Sequence, residues 1–145
     1  MREGKKIGFT AGAFDLCHAG HMLMFEEAKS VCDYLIVGLH TDPTIDRPDT
    51  KNKPIMSVEE RRTILSGIRH IDEIIAYDTE EQLYALLRDN PLGIDLRILG
   101  REYGDKPFTG HDLPMPVYFN SREHSYSSTE LRSRVHEAEK ARRAE

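Results

Sequence analysis

The chain has 145 residues, a formal net charge of −5 at pH 7, 39% hydrophobic residues and 31% charged residues. This length suits one domain with a buried core, and the composition is that of a globular protein. The negative charge argues against a nucleic-acid-binding surface, so small anions are the expected substrates. The two cysteines are too few for a disulfide framework, and no apolar run resembles a signal peptide or a membrane span. We therefore expect a single cytoplasmic domain over residues 1–145, with no nucleic-acid or membrane partner.

The first predicted strand, residues 7–10, runs into the decapeptide Gly-Ala-Phe-Asp-Leu-Cys-His-Ala-Gly-His at 12–21. Gly12 allows a tight turn after the strand, and Gly20 allows a phosphate to approach the backbone. His18 and His21 are three residues apart at a helix start, so they project from one face beside a helix N-terminus. The pattern predicts a polyphosphate pocket, and the alternative is that both histidines only cap the helix.

After this turn a helix is predicted with Leu23, Ala28 and Val31 at helical spacing, followed by a buried strand at 34–39. Residues 41–54 contain three prolines among polar residues and form an irregular loop whose length suggests a lid. A capping box then starts a helix at 57–67. A strand at 73–77, a helix at 80–89, strands at 96–100 and 115–119, and a last helix at 128–142 complete the series.

Strands that alternate with helices predict an α/β fold, a doubly wound parallel five-stranded sheet. In such sheets ligands bind beyond the carboxyl ends of the strands. The two histidines, Asp42, the turn at 100–103 and the segment 122–128 all follow predicted strands. We expect them to meet at one rim of the sheet.

The decapeptide resembles the signature of the cytidylyltransferase-like nucleotidyltransferases, which join a nucleoside triphosphate to a phosphorylated alcohol and release pyrophosphate. Residues 122–129, Arg-Glu-His-Ser-Tyr-Ser-Ser-Thr, are similar to the second signature of that family, in which an arginine precedes a Ser/Thr-rich turn. Residues 60–62 and 68–73 resemble the stretch of glycerol-3-phosphate cytidylyltransferases that carries two substrate-contacting arginines. The resemblance covers residues 5–135 and implies a Rossmann-like nucleotidyltransferase fold.

The resemblance implies a role for each matched residue. The residues implied in catalysis are His18, His21, Lys53 and Arg122. Those implied in nucleotide binding are Gly12, Ala13, Phe14, Asp15, His18, His21, Lys51, Arg122, Ser127, Ser128 and Thr129. Those implied in binding the acceptor substrate are Asp42, Arg61, Arg69, Asp72 and Tyr103. One of the two lysines is expected over the triphosphate, and the sequence does not choose between them.

The expected reaction needs no protein nucleophile, because the acceptor phosphate attacks the α-phosphorus in line while pyrophosphate leaves. Mg²⁺ is expected to arrive with the nucleotide, with no metal site of the protein's own. A zinc site is disfavoured because Cys17 and His18 are adjacent and point to different sides, while Cys32 lies at the far end of the helix. The segment 68–75 resembles the family's interface, so a homodimer is expected.

Two departures leave the nucleotide open. The chain has Gly-Arg-Glu-Tyr at 100–103, where the closest cytidylyltransferases have Gly-Asp-Asp-Trp, and Ser125 replaces a glycine. CTP with glycerol 3-phosphate or a similar phosphoalcohol is the first expectation. ATP with a heptose phosphate, flavin or pantetheine-type acceptor is the second, and a non-catalytic nucleotide-binding module is the third.

Overall fold

The computed structural model describes residues 3–121 and 123–144, so Met1, Arg2, Arg122 and Glu145 lie outside it. Its elements are β1 (Ile7–Gly12), α1 (Ala19–Ser30), β2 (Tyr34–His40), α2 (Val58–Ser66), β3 (Glu73–Tyr77), α3 (Glu80–Asp89), β4 (Leu96–Leu99), a 3₁₀ helix (Arg101–Asp105), β5 (Val117–Phe119) and α4 (Ser128–Ala144). Each predicted strand and helix is present, with shifts of one or two residues at most ends. Within the described part, no helix has both the length and the apolar character needed to cross a bilayer.

The five strands form one sheet in the order β3-β2-β1-β4-β5, and every neighbouring pair is parallel. The chain moves outward from β1 to β3, then returns to the other side of β1 for β4 and β5. The order therefore reverses between β1 and β4, where the carboxyl ends of the strands open a crevice. The predicted doubly wound parallel sheet is confirmed.

Both faces of the sheet are covered, which explains the continuous apolar run of β2. On one face Leu35 and Val37 pack with Phe25 of α1 and Leu65 of α2. On the other face Ile36 packs with residues of α3, including Leu83 and Leu87. Cys17 and Cys32 lie at the edge of the first cluster, as small partly buried side chains.

One predicted helix face is rotated. Leu23 is 45% exposed, whereas Phe25 and Ala28 are fully buried. Residues two apart on a helix point about 200° away from each other, so Phe25 inside places Leu23 outside. Leu23 instead lines the ligand side of α1.

Arg69 and Asp72 were predicted to bind substrate, but they precede β3 and lie at the amino-terminal edge of the sheet. Asp72 accepts hydrogen bonds from Lys29 and from the Leu35 amide at the start of β2. The exposed Arg69 contacts His70, 3.4 Å from its Nε. Ligands of this fold bind at the opposite edge of the sheet, so the structure places these two positions away from the edge where a ligand is expected. Asp72 joins α1 to the sheet.

Arg61 was predicted to clamp a substrate phosphate from an exposed helix face. It is instead 1% exposed. Its Nη1 donates to the carbonyls of Ala13 and His40 at 2.9 and 2.8 Å, and its Nη2 donates to Thr41 at 2.6 Å. Its Nε donates to Met56. The guanidinium therefore ties the ends of β1 and β2 to the start of α2 and has few donors left for a ligand.

We predict that Arg61→Met lowers the free energy of unfolding by about 3 kcal/mol or more, because buried carbonyls lose their donors. The matched control is Arg62→Met, at the exposed neighbouring position, where the change should stay within about 0.5 kcal/mol. Urea denaturation at pH 7 measures both. Equal urea midpoints for the two variants, together with a loss of acceptor affinity in Arg61→Met alone, would support the predicted role of Arg61 in binding the acceptor phosphate.

Candidate functional site

The turn between β1 and α1 has an unusual backbone. Phe14 and Leu16 both have φ of +51°, a left-handed conformation that bulky residues rarely adopt. Gly12 makes room for this turn, since a Cβ there would lie 3.2 Å from the Phe14 ring. Gly12 thus makes room for the buried Phe14 ring, and the strained backbone conformations occur at Phe14 and Leu16. Strain of this kind persists where the surrounding structure enforces it, commonly at functional sites.

His18 and His21 cap the N-terminus of α1 reciprocally. The Nδ1 of His18 accepts a hydrogen bond from the Gly20 amide at 3.0 Å, and the Nδ1 of His21 accepts one from the His18 amide at 3.1 Å. The two imidazole centroids are 4.1 Å apart. The capping role that the sequence offered as an alternative is therefore real, and it is compatible with a binding role.

The cap fixes where the histidine protons lie. A neutral imidazole has one N–H, and because Nδ1 accepts in both rings, the proton is on Nε2. The Nε2 of His18 lies 3.2 Å from Ser128 Oγ, at the first residue of α4. Both rings thus direct an Nε2–H donor away from the backbone of α1, beside the positive end of the helix dipole. Such donors suit phosphate oxygens.

His21 remains neutral over a wide pH range. Burial, with smaller contributions from His18 and His124, lowers the pKa of His21 from 6.5 to about 4. Two charged imidazoles at this separation would repel each other, so the site favours hydrogen-bond donation without a resident positive charge.

His124 belongs to the motif at residues 122–129, and its sequence context alone predicts no role for it. A Cβ on Gly20 would lie 2.8 Å from His18 and 2.9 Å from His124, so the glycine lets both rings approach α1. The Nδ1 of His124 accepts the Tyr126 amide at 3.1 Å, which leaves its proton on Nε2 as well. A third imidazole therefore joins the site. Its place between an arginine and a Ser-rich turn was the available signal.

The segment before α4 is held in place from two sides. Ser127 Oγ accepts the Glu130 amide at 3.0 Å, as expected for the predicted helix cap. Glu27 of α1 accepts hydrogen bonds from the Ser121 amide and hydroxyl and from the Tyr118 hydroxyl. The predicted role of Arg122 falls on a residue outside the described part.

Two cavities open at the carboxyl ends of the strands. The wide cavity, about 1020 Å³, is lined by His18, His124, Asn120 and Ser127 among others. The narrow cavity, about 380 Å³, is lined by Gly12, Ala13, Asp15, His40, Glu80 and Arg97 among others. Seven residues line both cavities: Ala11, Phe14, His21, Lys51, Tyr103, Ser128 and Thr129. The cavities therefore adjoin, with His21 at the junction.

The two lysines of the long loop, between which the sequence does not choose, have different surroundings. Lys51 lines both cavities, whereas Lys53 donates to Asp42 at 2.5 Å with a side chain that is 77% exposed. Hydrogen bonds from Lys53 and then Thr44 lower the pKa of Asp42 to about 2. Asp42 and Lys53 thus brace the loop and line neither cavity, so the structure favours Lys51 as the ligand-facing lysine.

Asp15 also has a structural function that the sequence did not predict. Its two carboxylate oxygens accept the Ile55 and Met56 amides at 2.8 and 2.9 Å. Arg132 Nη1 lies 4.0 Å from the same carboxylate. Asp15 therefore anchors the end of the long loop to the β1–α1 turn, although it lies at the edge of the narrow cavity.

The residues are compatible with a magnesium ion that arrives with the nucleotide. Among residues 3–121 and 123–144, no group of three or more His, Cys, Asp or Glu side chains is placed to hold a metal. The cavities offer donors for phosphate oxygens, and Mg²⁺ binds readily through phosphates with few protein ligands. The donor set is therefore compatible with the expected Mg²⁺–triphosphate complex.

A parallel sheet with imidazole donors at its central switch point defines an α/β protein built to bind phosphate groups. The sequence profile described as cytidylyltransferase-like matches residues 9–134, and the chain belongs to this nucleotidyltransferase family.

Curated relatives agree with this assignment, and a solved structure shares the fold. The chain is 40% identical over 115 residues to the bifunctional protein HldE of Wolinella succinogenes and covers 24% of it, a match that includes 79% of the chain. It is 30% identical over 140 residues to HldE of Campylobacter curvus, covering 97% of the chain and 29% of the relative. The chain thus spans about a quarter of the length of these curated relatives. A lipopolysaccharide core biosynthesis protein from Thermoplasma volcanium shares the fold, with a TM-score of 0.65, 21% identity, and coverage of 86% of this chain and 100% of that one.

We predict that acid unfolds the protein partly through His21. Between pH 6.5 and pH 4 the unfolded chain binds more protons at this residue than the folded protein, so the free energy of unfolding falls as the pH is lowered through that window. His21→Asn keeps an acceptor for the His18 amide but does not titrate, so its stability should fall less. Urea midpoints from pH 7 to 4.5 measure this, with His136→Asn on exposed α4 as the control. If the urea midpoints of wild type and His21→Asn fell equally with decreasing pH, His21 would not contribute to the acid sensitivity.

Proposed function

We propose that the chain transfers an adenylyl group from ATP to a sugar phosphate and releases pyrophosphate. The observation that carries nucleotidyl transfer is the junction of the two cavities at His21. The wide cavity would take the nucleotide, and the narrow cavity would take the acceptor. An acceptor phosphate entering from one side would meet the α-phosphorus from the other, as in-line transfer requires.

In the reaction an acceptor phosphate oxygen forms a bond to the α-phosphorus, and the bond between the α-phosphorus and the bridging oxygen to the β-phosphorus breaks. The electron pair leaves with pyrophosphate. The Nε2–H groups of His18 and His21 would stabilise the negative charge that develops on the oxygens around the α-phosphorus. Lys51 would bind the triphosphate from the loop, and Ser128 with the N-terminus of α4 adds further donors. Mg²⁺ would neutralise phosphate charge when it is bound with the nucleotide.

ATP and a sugar phosphate are preferred over CTP and a phosphoalcohol for two reasons. The HldE relatives match the chain at 30–40% identity, and this similarity favours the heptose-phosphate branch of the adenylyltransferases. The turn after β4 has Arg101, Glu102 and Tyr103 in place of the Asp-Asp-Trp of the closest cytidylyltransferases. Glu102 and Tyr103 line the wide cavity, so the change falls where a nucleotide would bind.

A homodimer through the β3 edge, near residues 68–75, is also part of the proposal.

The histidines can be tested apart from their capping role. His18→Asn keeps an acceptor where Nδ1 was but removes the Nε2 donor, whereas His18→Gln places an amide donor near Nε2. We predict that kcat falls about 100-fold in His18→Asn and less in His18→Gln, while ATP binding changes little, because the donor acts on transition-state charge. Steady-state pyrophosphate release measures kcat, with His136→Asn as the control. If Asn preserved kcat and Gln did not, the histidine would act only as a helix cap.

The nucleotide is tested by pyrophosphate release with ATP, CTP, GTP and UTP, each against hexose and heptose 1-phosphates and glycerol 3-phosphate. We predict the fastest turnover with ATP and a sugar 1-phosphate, because a site with fixed donors and acceptors rejects a mismatched base by several kcal/mol. If CTP with glycerol 3-phosphate were the fastest pair, the chain would be a cytidylyltransferase and the proposed adenylyl transfer would be wrong. Binding of nucleotides without turnover of any pair would favour the non-catalytic module.

A further inference from the structure

Arg97 is a charged residue in the middle of the otherwise apolar strand β4, and it is 5% exposed. Its Nη1 donates to the Thr109 carbonyl, and its Cζ lies 5.3 Å from the Phe108 ring centroid. Its Nε is buried and has no hydrogen-bond partner. Within the described residues, no carboxylate pairs with it. The guanidinium is thus only partly satisfied, although it borders the narrow cavity.

Glu80, in the first turn of α3, lines the same cavity. Its Oε2 accepts the Thr109 hydroxyl at 2.8 Å, and its Oε1 lies 3.4 Å from Arg47 Nη2. His40 Nδ1 is 4.0 Å from the same oxygen. Thr109 therefore connects the two charged groups: its carbonyl accepts from Arg97 and its hydroxyl donates to Glu80. The cavity presents a donor group and an acceptor group on one polar wall.

A buried guanidinium without a carboxylate partner is destabilising, and native structures rarely retain such a group without a use. Burial lowers the pKa of Arg97, although the neighbouring Tyr77, Glu80 and Tyr103 oppose this change. If Arg97 only held the Thr109 loop, a single donor would suffice, and the buried Nε would have no role. A bound group that accepts hydrogen bonds from Arg97 would complete the set.

We infer that Arg97 and Glu80 recognise adjacent hydroxyl groups of the acceptor and thereby select a polyhydroxylated sugar ring. A hydroxyl both donates and accepts, so one hydroxyl can accept from Arg97 while its neighbour donates to Glu80. A cavity of about 380 Å³ is large enough for a monosaccharide phosphate. This inference rests on the proposed function, because it places the acceptor in the narrow cavity. Arg97 and Glu80 are thus specificity-determining residues remote from the phosphate that reacts.

The experiment measures kcat/KM for mannose 1-phosphate and for its 2-, 3-, 4- and 6-deoxy analogues, with ATP and Mg²⁺, in wild type, Arg97→Met and Glu80→Gln. The matched control is Arg88→Met on the exposed side of α3, where the arginine bonds Asp89 and contacts the Tyr84 ring. Thermal unfolding shows whether each variant folds. Glu80 is at the helix end and partly exposed, so its variant keeps the test available if Arg97→Met is unstable.

We expect wild type to lose about 10- to 100-fold in kcat/KM with at least one deoxy analogue, mainly through KM for the acceptor. With mannose 1-phosphate, kcat/KM of Arg97→Met should fall below the wild-type value by a similar factor. Changing the substrate to that deoxy analogue should lower kcat/KM of Arg97→Met little further, because the variant already lacks the contact that the analogue removes. Glu80→Gln should show the same non-additivity at a neighbouring hydroxyl, and KM for ATP should not change. If wild type uses the sugar phosphates but both folded variants keep the wild-type ranking of analogues, the inference is wrong and the proposed function stands. If wild type turns over no sugar phosphate with any nucleotide, the proposed function itself fails.

Discussion

At the N-terminus of α1 His18 occupies the N-cap position, where a serine, aspartate or asparagine is usual, and His21 occupies the N3 position, where a capping box usually has a glutamate or glutamine. The Nδ1 of each ring accepts a backbone amide, so the helix start holds both rings in place and determines which nitrogen carries the proton. The Nδ1–amide hydrogen bonds thus stabilise the start of α1 and also orient the Nε2–H donors. If the histidines were released from the backbone, both the helix start and the direction of the Nε2–H donors would change.

The rest of the rim is arranged around this cap by buried polar contacts. Arg61 ties the carbonyls that follow β1 and β2, and Asp15 holds the end of the long loop through two amides. Glu27 fixes the segment that leads to α4. These three charged residues each satisfy backbone groups and thereby stabilise the geometry of the site, which Asp15 and Glu27 also line. The strained backbone at Phe14 and Leu16 is maintained by the same framework.

The sequence predicted the elements well because the apolar periodicity and helix caps are local signals, as at Ser57 and Ser127. It also predicted that the histidines and the start of α4 would meet, since both follow strands of a parallel sheet. It failed where a side chain's partner is distant in sequence. Arg61 resembles an exposed cation in the sequence, but in the folded chain backbone carbonyls satisfy its buried guanidinium. Lys53 is exposed, and only the folded chain shows that it pairs with Asp42. Arg97 carried a visible signal, a charge inside an apolar strand, but its cavity depends on α3 and the Thr109 loop.

The most direct test of the account is ¹⁵N NMR of the imidazole nitrogens at pH 7, with His18→Asn and His21→Asn to assign the signals. We predict that both rings are neutral with the proton on Nε2, and that adding ATP with Mg²⁺ shifts the Nε2 signals far more than the Nδ1 signals. Protons on Nδ1, or Nε2 signals that do not respond to the nucleotide, would contradict the claim that the helix cap directs two donors at a phosphate.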